Sequence, residues 1–287
     1  MTIWTDLLGA EVGYRGNTFR TRTIEAGWGE PLLLLHGVGG HAEAYARNVK
    51  RLGEHFHAIA VDFVWHGLST KPLPVPKRLM ETYANQLIDL MDSMDIERAS
   101  IEGESLGGWV ALYMALNHPD RLNKLILNTN AGVRFNPEKV KVDLAGGTHA
   151  LRERSLAAIG NPTRETVRKR LEWLVASPDR VTEELLDTRY AIYNDPETQK
   201  ALTGVFTNTF ADGMPEMIDE SRLSEIRCPT LVLWADKNPG VGEDGGRRIA
   251  ELIPGAQYYC IYDAAHWPQW EKPEEHDRVV TEFLLGK

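Results

Sequence analysis

The sequence predicts an α/β protein: a doubly wound, mostly parallel sheet with an inserted helical cap. Three observations carry that expectation. Short apolar runs alternate with amphipathic stretches, the pattern of βαβ units whose strands are buried on both faces. Between about residues 134 and 222 the alternation stops and only helical periodicity remains. Gly103-Glu104-Ser105-Leu106-Gly107 leaves one apolar run and enters a helical one, so a tight strand-to-helix turn is built around a serine.

In chain order, residues 11–14 and 18–26 flank Arg15-Gly16-Asn17 and predict an antiparallel entry hairpin. Residues 32–35, 57–61, 98–102, 124–127, 230–234 and 257–261 predict buried strands, because each is a short apolar run bounded by turn residues. Residues 42–53, 79–94, 105–117, 242–252 and 273–285 predict covering helices. Within the interruption, residues 164–175 and 182–193 are the strongest helical stretches and no strand is expected. The division is therefore a core of residues 1–133, a cap of residues 134–222 and a second core segment of residues 223–287. Neither an internal repeat nor a low-complexity linker separates them, so the cap is expected to pack on the core.

Composition narrows the function. A chain of 287 residues with 43% hydrophobic composition can bury a large core. A net charge of -9 disfavours nucleic-acid and anionic-membrane surfaces. Residues 32–35 form the longest aliphatic stretch, far short of a membrane span, and residues 1–6 lack the basic start and apolar centre of a signal peptide. A cytoplasmic protein acting on a small molecule is expected. Cys228 and Cys260 are the two cysteines, each in or beside a strand pattern, which suits reduced core thiols and no metal site. Whether the protein forms a homodimer or a higher homo-oligomer is left open by the sequence.

The Gly-x-Ser-x-Gly turn has the form of a nucleophile elbow, in which flanking glycines let a strand and a helix pass closely while the serine projects at the sheet edge. His36-Gly37-Val38-Gly39-Gly40, after the first buried strand, has the form of an oxyanion loop. With the residue after the nucleophile it offers backbone N–H groups of Val38 and Leu106 to a developing oxyanion. His266 lies in the loop after the last strand, where a general base can reach the serine. His36 and His66 occupy other carboxyl-edge loops, and His118 ends a helix. Asp236, in the loop after residues 230–235, is the expected orienting acid. The residues thus occur in the order Ser105, Asp236, His266.

The chain resembles α/β-hydrolases over nearly its whole length, and more narrowly the meta-cleavage product hydrolases, which cut a carbon–carbon bond of ring-opened 2-hydroxy-6-oxo-dienoates in aromatic degradation. Ser105-Leu106-Gly107-Gly108, His266-Trp267-Pro268-Gln269-Trp270-Glu271 and Arg189-Tyr190 with Tyr193, Asp195 and Pro196 carry the resemblance. It implies no metal and no organic cofactor, a role for Arg189 at the carboxylate or enolate end of the substrate, a pocket-lining role for Trp267, and Gly37 and Gly39 on the substrate side. Three departures stand out. Glu104 replaces the asparagine that usually precedes the nucleophile, Val38-Gly39-Gly40-His41 shortens the oxyanion loop, and family spacing places the acid at Asn238, 28 residues before His266, and not at Asp236, 30 before it. The expected activity is a serine-type, cofactor-independent hydrolysis of such a vinylogous ketone. A carboxylesterase, lactonase or amidase on the same residues is the alternative, and a non-catalytic receptor or cofactor-free oxygenase on this fold the alternative from another class.

Overall fold

The computed structural model describes residues 2–211 and 214–287. The strands are β1 (Glu11–Arg15), β2 (Thr21–Ala26), β3 (Pro31–Leu35), β4 (His57–Val61), β5 (Ala99–Glu104), β6 (Leu122–Asn128), β7 (Val133–Arg134), β8 (Ile218–Asp219), β9 (Thr230–Ala235) and β10 (Gln257–Ile261). Eight of them form one sheet in the order β1-β2-β4-β3-β5-β6-β9-β10. From β4 to β10 every neighbouring pair is parallel, and β1–β2 is the antiparallel hairpin, in register Glu11 with Glu25. Leu32, Leu33, Leu34 and Leu35 are fully buried, as a central strand covered on both faces requires.

The helices are α1 (Ile3–Asp6), α2 (Val49–Leu52), α3 (Met80–Ser93), α4 (Leu106–Asn117), α5 (Ala150–Gly160), α6 (Arg164–Glu172), α7 (Glu183–Tyr193), α8 (Pro196–Thr209), α9 (Glu243–Leu252), α10 (Pro268–Glu271) and α11 (Pro273–Leu285). Helix α3 packs on α4, and α2 on α11. Between β7 and β8 the described chain is helical. Helices α6, α7 and α8 start on side-chain caps: Thr163 Oγ1 accepts from Thr166 N–H at 3.1 Å, Thr182 Oγ1 from Leu185 N–H at 3.2 Å, and an Asp195 carboxylate oxygen from Thr198 N–H at 2.8 Å.

Two local readings are corrected. Residues 42–53 do not form one helix but a 3₁₀ turn (Ala42–Tyr45) and the single turn α2. Tertiary contacts hold the segment in this shape: Ala42 N–H donates to Asp62 Oδ1 at 2.6 Å, and the Asn48 side-chain amide donates to Gln269 O and Asp277 Oδ1. At the ends of the helical insertion β7 and β8 pair in parallel, where no strand is expected inside residues 134–222. Both are two residues long, too short to leave a period-two pattern. Among the described residues no helix is long and apolar enough to cross a membrane. Cys228 and Cys260 are partly buried and unbonded.

Candidate active site

The carboxyl ends of β3, β5, β6, β9 and β10 deliver the loops of the site, the edge where open α/β sheets bind ligands. At the end of β5, Ser105 sits at φ 54° and ψ -112°, a conformation a side-chain-bearing residue adopts only when its surroundings hold it there. They do. Ser105 N–H donates to Asn128 O at 3.2 Å, and Ser105 O accepts from Trp109 and Ala131 N–H at 3.1 and 3.0 Å. A Cβ on Gly103 would lie 2.2 Å from the Gly107 backbone, and one on Gly107 2.2 Å from Leu35 O, so both glycines are required by close approach. Leu106 N–H lies at the start of α4, where an anion meets the positive end of the helix.

Of the two positions the sequence offers beside His266, the structure brings Asn238 to the ring and not Asp236. His266 Nδ1 is 2.7 Å from Asn238 Oδ1, while the Asn238 amide N–H donates to Val241 O at 2.7 Å. Both contacts fit one orientation of the amide, so its oxygen accepts from Nδ1–H and the Nε2 lone pair is left free. Asp236 is exposed, and its Oδ1 accepts from Ala264 N–H at 3.2 Å. The turn closed by Asn238 N–H on Ala235 O, at 3.2 Å, aims residue 238 at the site and residue 236 along the surface. Asn238 is neutral: it holds the tautomer but offers no charge to an imidazolium.

At the opposite edge of the ring, His266 Nε2 lies 3.2 Å from Glu104 Oε1. Glu104 is fully buried, and no hydrogen bond of normal geometry reaches either of its oxygens among the described residues. Burial pushes its carboxyl up to about 8, against the opposing pull of the Gly37 backbone, Arg170, Trp267 and Arg189. Burial, and after it the Arg170 charge, holds the His266 imidazole down at about 3. The ring therefore stays neutral at pH 7, the form a general base needs.

Two cap arginines reach this point. Arg189, on α7, is fully buried; its Nη1 donates to Tyr193 Oη at 3.3 Å, its Nε and Nη2 have no partner among the described residues, and its guanidinium carbon is 5.7 Å from the Trp267 ring. The two glutamates at the start of α7 are engaged elsewhere: Glu183 holds Arg164 and Arg168, and Glu184 accepts from the Ile3 and Trp4 N–H groups. Arg170, on α6, donates from Nε to Ser155 Oγ at 2.7 Å and from Nη2 to Val38 O at 3.2 Å, and its Nη1 has no partner among the described residues. Sequence reasoning missed Arg170. Its signal was the apolar stripe of Val167, Leu171 and Leu174, which puts position 170 on the buried face of the helix.

The oxyanion loop is held from both sides. From the cap, Tyr193 Oη donates to Gly39 O at 2.8 Å, and a Cβ on Gly39, at φ +71°, would lie 2.6 Å from that hydroxyl. From the core, Arg22 bridges Glu43 and Asp62 at 2.6 and 3.2 Å, and His41 Nδ1 lies 2.7 Å from Glu43 Oε2. Of the competing histidines, His36 is occupied at both nitrogens, donating from Nδ1 to Gly37 O at 2.7 Å while its Nε2 accepts from Phe63 N–H at 3.1 Å; His66 Nδ1 donates to Val64 O, and its buried Nε2 has no partner among the described residues. Cap and base loop are tied by Arg180, which reaches Glu271 Oε2 at 2.6 Å while Glu271 Oε1 accepts from Ala265 N–H at 2.7 Å.

Ser105, His266, Asn238, Val38 and Leu106 line one cavity of about 640 Å³ with largely apolar walls. Gly37, Glu104, Arg170, Arg189 and Trp267 meet Ser105 and His266 around an adjoining void of about 10 Å³. Asp236 and Gly39 line neither.

A serine on a strained elbow beside a buried neutral histidine and a backbone oxyanion loop defines the hydrolase class on this fold. The chain belongs to the alpha/beta hydrolase fold family, which it matches over residues 30–273. It is 32% identical over 279 residues to a 2-hydroxy-6-oxononadienedioate/2-hydroxy-6-oxononatrienedioate hydrolase of Burkholderia vietnamiensis, covering 94% of this chain and 92% of the relative. It is 30% identical to a 2-hydroxy-6-oxo-6-phenylhexa-2,4-dienoate hydrolase of Comamonas testosteroni, covering 91% and 89%. The solved structure of a meta-cleavage product hydrolase from Pseudomonas fluorescens IP01 superposes with a TM-score of 0.80 at 26% identity, covering 97% of this chain and 99% of that one. The protein is an enzyme of the hydrolase type.

Proposed function

We propose that this enzyme hydrolyses the carbon–carbon bond next to the 6-oxo group of a 2-hydroxy-6-oxo-dienoate that carries a large apolar substituent, with residues 134–222 closing over the substrate. The observation that supports this most is the pairing of the two chambers. The small one holds two buried arginines with free N–H groups, suited to a planar carboxylate. The large one, walled by Trp109, Phe135, Leu151, Trp173 and Met217, suits an aryl or alkyl group. Ser105 and His266 stand where they join.

In this reading the dienol first becomes its keto tautomer, the proton of the 2-hydroxyl being replaced by one on C5. Ser105 Oγ then attacks C6 and gives its proton to His266 Nε2, while Val38 and Leu106 N–H take the oxyanion, each such donor being worth about 3 kcal/mol of barrier. Collapse breaks the C5–C6 bond, and C5 leaves as part of a dienolate that takes the imidazolium proton. Water, deprotonated by His266, releases the acid from Ser105.

The test is a panel of coloured dienoates beside neutral p-nitrophenyl esters. Aryl dienoates should lose their colour fastest. Lys141 and Arg134 also line the large cavity, so a dienedioate is the second substrate of the panel. Arg189→Gln should cost about 10² in kcat/KM on the dienoate and less than about threefold on the ester. Equal losses on both would reject the carboxylate role of Arg189, and turnover of esters alone would leave an esterase.

A further inference from the structure

We propose that Glu104 is the acidic partner of His266, supplying at the Nε2 edge of the ring the carboxyl group that Asn238 does not supply at the Nδ1 edge. This rests on the reading of Ser105 and His266 as nucleophile and base.

The contact sets two acceptors against each other. The Asn238 oxygen holds the Nδ1–H tautomer, so Nε2 presents a lone pair toward Glu104 Oε1, 3.2 Å away. Two acceptors at that distance inside the protein repel each other unless one of them carries a proton. Burial keeps water from screening the pair: Glu104 is 0% exposed and His266 7%. The groups that face Glu104 are Arg170 from α6, Arg189 from α7, Tyr45 from the turn after the oxyanion loop, and Ser105 and His266 themselves. The arginines stabilise the carboxylate, and burial favours the acid. At low pH the pair carries its proton and Nε2 is blocked. Once that proton has left, Ser105 Oγ–H passes its proton to Nε2 as Oγ bonds to the electrophile, and the imidazolium so formed lies against the Glu104 carboxylate. Glu104 is thus a positioning residue that holds the charge of the base.

The test uses a fluorophosphonate, which reports nucleophile activation without any assumption about substrate: the Oγ–P bond forms, the P–F bond breaks, fluoride leaves and the Oγ proton goes to Nε2. Labelling of Ser105 is timed from pH 5.5 to 9.5 in the wild type, Glu104→Gln, Asn238→Asp and the double variant, with folding followed by circular dichroism. The wild-type rate should rise at least tenfold through the loss of one proton. Glu104→Gln should lower the high-pH rate about 10²-fold and flatten the profile. Adding Asn238→Asp should raise the rate at least 30-fold more in the Glu104→Gln background than in the wild type, because an acid restored at the other edge replaces the one removed. An equal gain in both backgrounds, or a loss in Glu104→Gln that Asn238→Asp does not relieve, overturns the proposal. If Glu104→Gln does not fold, the wild-type profile decides, and a flat one overturns the proposal. A folded wild type that does not label at Ser105 at any pH overturns the serine-hydrolase reading itself, and this proposal with it.

Discussion

Strand β5 carries two buried glutamates on one face, two residues apart, and each lies against a histidine with the opposite electrostatic outcome. Glu102 meets His276 at 2.7 Å, and His276 also reaches Asp277 at 2.9 Å, while Asn128, Gln269 and Asn48 complete a connected network. Its two carboxylates hold His276 charged, up at about 10 against the opposing effect of burial. Glu104 meets His266 at 3.2 Å across poor hydrogen-bond geometry, with an amide in place of a second carboxylate and two arginines nearby, and His266 stays neutral. The paired cluster lies beneath the loop of residues 266–271 and holds it; the unpaired cluster opens on the cavities. Partners withheld from a buried charge are a cost to folding, and they leave it free to bind or move a proton.

The sharpest way to break this contrast is to remove the groups that use it. Ser105→Ala and His266→Ala should each lower kcat by about 10⁴ or more while melting cooperatively; normal turnover in either folded variant would end the serine-hydrolase reading.

Glu102→Gln tests the paired cluster and should act on stability. Leaving a buried imidazolium short of one partner costs about 3–5 kcal/mol, measured by urea unfolding. The sign with pH follows from the raised pKa of His276. Its stabilising contribution is complete below pH 6.5 and is lost as pH rises through about 10, so the variant and the wild type should converge at alkaline pH. A constant difference from pH 6 to 10.5 would mean His276 is not charged in the folded protein.

Smaller effects separate the two candidate partners of the base. Asn238→Ala frees the imidazole to change tautomer and should cost about 10² in kcat, whereas Asp236→Asn, which alters an exposed turn, should stay within about threefold. The opposite ranking would restore Asp236.

The unpaired cluster itself shows in stability. The Glu104 carboxyl is raised from 4.5 to about 8, so it destabilises the fold increasingly as pH climbs from about 4.5 to 8. Glu104→Gln should therefore be more stable than the wild type at pH 8, by on the order of a few kcal/mol, with the difference vanishing toward pH 4.5. Equal melting temperatures at both ends would place the carboxyl in water.

Periodicity, turn chemistry and spacing determined the parallel sheet, the elbow at Ser105, the glycine loop around Val38 and the place of His266 after the last strand of the sheet, because each is encoded by residues adjacent in the chain. Strand and helix periods are local, and glycines at 103 and 107 announce a close approach whatever packs around them. Local turn chemistry pointed to Asp236, and only the path of the chain after Ala235 decided for Asn238. That choice depends on where the Asn238 side chain meets Val241 and His266, a fact of three-dimensional register. The insertion was legible as helical, but nothing local said which of its many arginines would be buried. Arg170 and Arg189 became site residues only when the cap folded onto β3 and β5, for a charge acquires its meaning from the partners that tertiary structure brings to it or keeps away.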